Sequence, residues 1–369
     1  MIPFLSLKDQ TAKIKPEIMT ALEQVIDTQG FANGPAVEKF EKELAAYLGC
    51  KHVIAVNSGT TSLQAALITA GVKPGDDVLS VSHTWISTTW AISYVGANPV
   101  FCDVDPGTCG LDPKELEKRL TPKTKAIMPV HLYGIPFDID AVMDFAKKKG
   151  LPVIEDSAQS IGARWGGKQT STFGLVNATS FYPGKNLGAF GEGGACMTDD
   201  DEIAARIKSL RDHAQRGRHH HVELGFNWRM DGFQGAVLSV KLKHLDAWND
   251  RRRAIGKKYL AEMQGLPGVR LAKPSAKADP IWHIFPIFHD KRDDFRAALE
   301  KHGVSSGIHY PKPVHLQPAY AHLGVAQGSL PNAEKLAFTE ISLPMFPELT
   351  DAQADEVIKA VKAVAKELA

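Results

Sequence analysis

Lys185 follows an apolar, β-capable run, Ala178 to Tyr182, that must end at Pro183-Gly184, because proline has no N–H and glycine tolerates any turn. It therefore belongs to a strand exit. Gly188, Gly191, Gly193 and Gly194 come next, flanking the lone carboxylate Glu192, so the backbone there bends sharply or lies close to another surface. A lysine amine held this way can form a Schiff base with a carbonyl. An exposed lysine in a Gly-rich hairpin is the plain alternative. Asp156 weighs against it, ending the run VIED, where a sheet-top carboxylate is costly to desolvate unless it meets a cation. So does Asn57-Ser58-Gly59-Thr60, which turns a short strand into a helix and sets free N–H groups and hydroxyls at a positive terminus. Such a turn is most often a phosphate site; simple N-capping by Ser58 or Thr60 is the plain alternative and is compatible with it.

The elements that must position these groups alternate. A short arm (residues 1–15) leads to a helix from Pro16 to about Thr28, and a second helix carries Val37, Phe40, Leu44 and Leu48 at helical spacing. Strand and helix then succeed one another from Val53 to Asp156, through the turn carrying His83 and Trp85, a strand ending at His131 and Tyr133, and the strand VIED. This order predicts an α/β fold with a mostly parallel sheet and helices on both faces, binding its ligand at the carboxyl ends of the strands. Ser58 to Thr61, Trp85, His131, Asp156, Gln159, Ser180 and Lys185 all fall at those ends. No GxGxxG follows the first strand, which argues against a dinucleotide fold. One long helix is expected from Ala236 to about Gln264, and the residues after it form a smaller α/β unit: a strand at IWHIFPIFHD, a helix over 291–302, a strand at VSSGIHYP, and helices near Asn332–Thr339 and from Asp351. The expected division is an arm (1–15), a large domain (16–245) and a small domain (246–369).

The 369 residues carry 43 basic and 42 acidic side chains, a balance that does not suggest a nucleic-acid or membrane-surface partner. No apolar run approaches the roughly 18 residues of a membrane span, and the start lacks the pattern of a signal peptide. Cys50, Cys102, Cys109 and Cys196 show no CxxC spacing, which speaks against zinc and for a reduced cytoplasm, while leaving a Cys102–Cys109 disulfide open. His219-His220-His221 lacks a neighbouring acid or cysteine cluster, so no metal is expected; a solvated loop or a diphosphate contact fits better, with Arg218 or Arg229 the stronger phosphate partners.

A turn lysine, a buried acid suited to a pyridinium nitrogen, an anion-holding turn and an aromatic able to stack on a ring together describe pyridoxal 5'-phosphate. At this point the chain resembles a known family. SGTTSLQAAL, WISTTW, VHLYG, EDSAQSIGA, SFYPGKNLGAFGEGG, FNWRMDGFQ and GIHYP, in this order across nearly the whole chain, are similar to the DegT–StrS class of sugar aminotransferases, of the aspartate-aminotransferase-like fold type I. The resemblance implies that Lys185 carries the cofactor and shuttles the proton between substrate and cofactor carbons. It implies that Asp156 pairs with the pyridine nitrogen and Gln159 meets the ring hydroxyl. Gly59, Thr60 and Ser180 would hold the phosphate, with Thr61 nearby, and Trp85 would cover the ring. It further implies a homodimer with shared active sites, in which Asn227 reaches the partner's phosphate.

For the substrate, the resemblance is nearest to members aminating the 3-keto carbon of a dTDP- or UDP-linked hexose with glutamate as donor, and it puts His309, Tyr310 and His315 over the sugar, with Arg229 a candidate for the diphosphate by its own chemistry. A packed strand end is the plain alternative for His309-Tyr310. Ser171-Thr172 and Gly232, Phe233 and Gly235 depart from the family pattern, affecting local loop shape. Related sugar dehydratases carry histidine at the lysine position, so lysine there favours transamination over a lyase; a non-catalytic regulator on the same fold is the other alternative.

Overall fold

The computed structural model describes residues 1–217 and 219–369. An extended arm, Met1–Leu7, precedes helix α1 (Lys8–Thr28), so the helix begins eight residues before the expected Pro16. Pro16 sits inside it on the water-facing side, where the carbonyl it leaves unpaired can be solvated. Ile14 and Ile18, four apart, fix the buried face.

Helix α2 (Gly34–Leu48) leads into β1 (His52–Val56), α3 (Gly59–Thr69), β2 (Asp77–Val81), α4 (Ser87–Tyr94), β3 (Asn98–Cys102), α5 (Pro113–Arg119), β4 (Thr124–Met128) and α6 (Ile139–Lys149). A small ribbon, β5 (Arg164–Trp165) and β6 (Lys168–Gln169), precedes β7 (Asn177–Ser180) and β8 (Gly194–Thr198). The run VIED joins by single parallel bridges, Ile127 to Val153, Val130 to Asp156 and Asp156 to Ala178. The resulting order is β3-β2-β4-(153–156)-β7-β8-β1, all parallel except β8. These strands are buried on both faces. In β1, Val53 and Ala55 pack toward α2 residues Val37, Phe40 and Leu44, while Ile54 and Val56 pack toward Leu63 and Leu67 of α3. Apolar material on both sides is what a helix-covered sheet requires.

After α7 (Asp201–Arg211), the expected single helix over 236–264 is two: α8 (Gly232–Leu242) and α9 (Leu245–Met263). The ladder slips to shorter bonds at Lys243–His244, where Lys243 N–H reaches Val240 and His244 N–H reaches Lys241. No proline or glycine marks that break. A second sheet follows, built from β9 (Arg270–Leu271), β11 (Phe285–Phe288) and β12 (Glu340–Leu343), all antiparallel, with β10 (Ala278–Asp279) instead joining β5. Helices α10 (Arg292–Lys301), α11 (Pro331–Thr339) and α12 (Asp351–Glu367) complete the chain. VSSGIHYP is not a ladder strand: it holds only single bridges, Ile2 to Val304 and Gly307 to Ser342. All four cysteines are free, so Cys102 and Cys109 are not joined. Among the described residues, no helix is long and apolar enough to cross a membrane.

Candidate active site

The carboxyl ends of β1, β2, β4, the 153–156 segment and β7 open into one cavity of about 510 Å³. Lys185 lines it from a tight turn in which its N–H donates to the Tyr182 carbonyl at 2.8 Å. Asp156 faces it from the middle of the sheet, only 4% exposed. Its Oδ2 accepts from Thr88 Oγ1 at 2.8 Å and its Oδ1 from the Ala158 N–H at 3.1 Å. Burial nevertheless raises the Asp156 pKa, against those bonds and the nearby Lys185. A carboxyl in this condition gains from a cation placed beside it. Burial also lowers the Lys185 amine to about 8, against the pull of Asp156, so a substantial fraction is neutral near physiological pH.

The turn after β1 has the expected strand-to-helix form. Ser58 is extended and caps α3, its Oγ accepting from the Thr61 N–H at 3.1 Å. Gly59 and Thr60 line the cavity at the helix terminus, and neither N–H has an intramolecular acceptor among the described residues. Glycine is needed at 59 because a Cβ there would stand 2.6 Å from Ser180 Cβ, on the strand that brings the Ser180 hydroxyl to the same corner. Two N–H groups at a helix start, a serine hydroxyl, an amine and a desolvated carboxyl form a donor set that fits the phosphate, aldehyde and ring nitrogen of pyridoxal 5'-phosphate.

Trp85 forms part of the wall, with its ring 5.2 Å from that of Tyr310. Gln159 is held at both ends, its Oε1 accepting from the Tyr133 N–H at 2.6 Å and its Nε2 donating to Tyr310 Oη at 3.2 Å. His309 and Tyr310 line the opposite wall with Phe4 and Leu5 of the arm. Burial, helped by Lys185, pushes the His309 imidazole down to about 4. Directly behind the site, Glu155 is fully buried; its carboxylate meets His131 Nε2 at 2.8 Å and accepts three N–H groups from Ser171, Phe173 and Gly174. Burial pushes that carboxyl up, but His131 and the backbone donors more than reverse this and hold it below the usual range.

Two expected substrate residues stand elsewhere. His315 does not line the cavity; both ring nitrogens are engaged, Nδ1 with Ser82 Oγ at 2.6 Å and Nε2 with Glu334 at 3.2 Å. Arg229 pairs with Asp212 outside the cavity, which engages its guanidinium within the chain. Asn227 is exposed and does not line this cavity either. Among the described residues no cluster could hold a metal ion, and Arg218 lies outside them. Sequence reasoning missed Thr88, the Asp156 clamp within WISTTW, and His283, which lines the cavity with its Nδ1 at 3.0 Å from Asn186 Oδ1.

Fold and site together define an aminotransferase of the kind built around a sheet-top lysine. The chain belongs to the DegT/DnrJ/EryC1/StrS aminotransferase family, whose model matches residues 12–362. It is 44% identical over 361 residues to the dTDP-3-amino-3,4,6-trideoxy-alpha-D-glucose transaminase of Streptomyces venezuelae, covering 98% of this chain and 95% of that one. The crystal structure of S. venezuelae DesV in complex with a ketimine intermediate superposes with a TM-score of 0.97 at 44% identity, covering 99% of this chain and 98% of that one. The structure of NtdA from Bacillus subtilis with bound cofactor PMP gives a TM-score of 0.92 at 31% identity, covering 99% and 85%.

Proposed function

We propose that this chain is a pyridoxal-phosphate-dependent transaminase that moves an amino group from glutamate to the ketone of a dTDP- or UDP-linked 3-keto-hexose. The observation that carries it is the meeting of the Lys185 amine and the buried Asp156 carboxyl in one cavity with the start of α3. The names of the relatives support the sugar-nucleotide substrate.

Bound there, the cofactor supplies an aldehyde for amine exchange and a ring that accepts the electron pair left by proton removal. Lys185 moves the proton between neighbouring carbons, a role suited to an amine lowered to about 8. Asp156, fixed by Thr88 and Ala158, would hold the ring nitrogen in its protonated form. Gly59, Thr60 and Ser180 would hold the phosphate, Gln159 would meet the ring hydroxyl and Trp85 would cover the ring. His309 and Tyr310 meet the sugar, and the remote nucleotide contributes the binding energy that places the ketone. The exposed position of Asn227 suits a homodimer in which each copy completes its neighbour's phosphate site. Arg229, two residues on, would meet the diphosphate of the sugar nucleotide, and His315 would belong to the same substrate side. Cytoplasmic residence and a division into parts near residue 245 belong to the same reading.

The test is to incubate the purified protein with glutamate and a panel of nucleotide keto-sugars and read the products by mass. An amino sugar with matching 2-oxoglutarate is expected. Ammonia release with loss of a hydroxyl would replace this reading with a lyase, and a folded protein without turnover would replace it with a regulator.

A further inference from the structure

Glu340 is a fully buried carboxyl that the chemistry above does not use. It opens β12, and Ser342, two residues on, shares its face of the strand, while Ile341 and Leu343 point into the core. Ser342 Oγ is hydrogen-bonded to Glu340 Oε1, and His309 Nδ1 lies 2.7 Å from the same Ser342 Oγ. The backbone fixes this geometry from both sides: the His309 N–H donates to Glu340 Oε2 at 2.6 Å, and Gly307 and Ser342 exchange N–H to carbonyl bonds at 3.0 Å. Tyr133 Oη donates to the His309 carbonyl at 2.6 Å, and Phe4 stacks on the imidazole at 5.5 Å. The imidazole lines the cavity, and its Nε2 has no partner among the described residues. The three side chains therefore form one hydrogen-bonded file from a sealed carboxyl to an open ring nitrogen.

We propose that Glu340 and Ser342 are relay residues that set the tautomer of His309 and pass one proton through it to the oxygen of the keto-sugar as that oxygen leaves as water. The proposal rests on the transaminase reading above. With Glu340 protonated, its O–H donates to Ser342 Oγ, the Ser342 hydroxyl donates to His309 Nδ1, and Nε2 carries a proton toward the cavity. During transfer the Glu340 O–H bond breaks as the new Ser342 O–H forms. The old Ser342 O–H breaks as Nδ1–H forms, and Nε2–H breaks as the substrate O–H forms. That proton reaches the hydroxyl that the keto oxygen has become after the amine has added; its C–O bond breaks as the nitrogen lone pair forms a C=N bond, water departs, the positive charge on nitrogen balances the negative charge left on Glu340, and no oxidant or reductant is needed. Uptake of a proton at Nε2 reverses the file and reloads the carboxyl.

Burial raises the Glu340 carboxyl to about 8, against Ser342, the His309 N–H and the charges of Arg292 and Arg296 on α10, so it starts protonated at neutral pH. Cys109, Tyr133 and Tyr310 also face it, and β11 sets Phe288 opposite it. His309 itself, held down to about 4, is neutral and free to exist as either tautomer.

The test uses the intact holoenzyme labelled with 15N-histidine, with His309→Gln to assign the resonance. The native protein is expected to show His309 protonated at Nε2 near neutrality and at Nδ1 above about pH 8. Glu340→Gln, whose amide oxygen would take the His309 N–H and so turn its NH2 toward Ser342, should hold the Nε2–H form throughout. Rapid kinetics should show amine loading from glutamate changed by less than about twofold. Amine delivery to the keto-sugar should fall about tenfold or more and lose its alkaline limb. Ser342→Ala should do the same, with Ser342→Thr restoring delivery. A His309 tautomer that ignores pH, or an alkaline limb that persists in both Glu340→Gln and Ser342→Ala, would overturn the relay. Failure of the native protein to deliver an amine to any keto-sugar would instead overturn the transaminase reading.

Discussion

Asp156 and His309 face the same cavity from walls built in opposite ways. The Asp156 wall is made of strand ends in the interior of a seven-stranded sheet, where each backbone neighbour is fixed by parallel pairing. The His309 wall is an irregular segment attached by the Gly307–Ser342 bridge and otherwise held by side chains: Glu340, Ser342, Tyr133 and Phe4. The first places atoms by backbone pairing to strands on both sides. The second places atoms by an array of buried polar groups. Chemistry common to a family can be anchored on the first, while substrate response can be tuned on the second.

Removing the central group of the first wall should have the largest effect. Lys185→Ala is expected to reduce amine transfer by about 10³-fold or more with the fold intact by circular dichroism, as the one lysine among the described residues that line the cavity is lost. Glu155→Ala strikes the scaffold behind the same wall: it leaves His131 and three N–H groups without a buried acceptor, and should cost about 3–5 kcal/mol in denaturant unfolding. Because the Glu155 pKa is depressed on folding, its contribution is present above the ordinary carboxyl range and is lost as pH falls through the lower, folded value. Acid unfolding should therefore lose part of its steepness in Glu155→Gln.

Changes on the second wall should be milder and should separate substrate from cofactor. Tyr133→Phe removes a donor to the His309 carbonyl and a partner of His83, at a cost of about 1–2 kcal/mol in stability. Its effect should appear in the keto-sugar half-reaction and spare loading by glutamate. Phe4→Ala, which removes only the stacking face, should raise the keto-sugar KM by about 3- to 10-fold, corresponding to roughly 0.5–1.5 kcal/mol of lost ring contact. Equal losses in both half-reactions for these two variants would erase the distinction between the walls.

The same contrast explains what could be read from the residues. Lys185 and Asp156 were legible because Pro183-Gly184 must end a strand and VIED must end in a buried acid; Ser58 to Thr60 were legible as a strand-to-helix turn. Groups of the second wall depend on pairings remote in the chain. Glu340 follows α11 with no turn residue to announce a strand, and its partner His309 lies 31 residues upstream. Thr88 has the look of an ordinary helical threonine until its hydroxyl is found on Asp156. His315 and Arg229 carry suitable chemistry, but local sequence could not reveal that Ser82, Glu334 and Asp212 engage them within the chain. The break between α8 and α9 was hidden because the apolar spacing runs through it.

The most direct measurement is to load the protein with pyridoxal 5'-phosphate, reduce it with borohydride and map the modified peptide by mass. A single pyridoxyl group on Lys185, absent from Lys185→Ala, is the result expected. Modification of another lysine, or equal labelling of the variant, would contradict the assignment of this cavity as the catalytic centre.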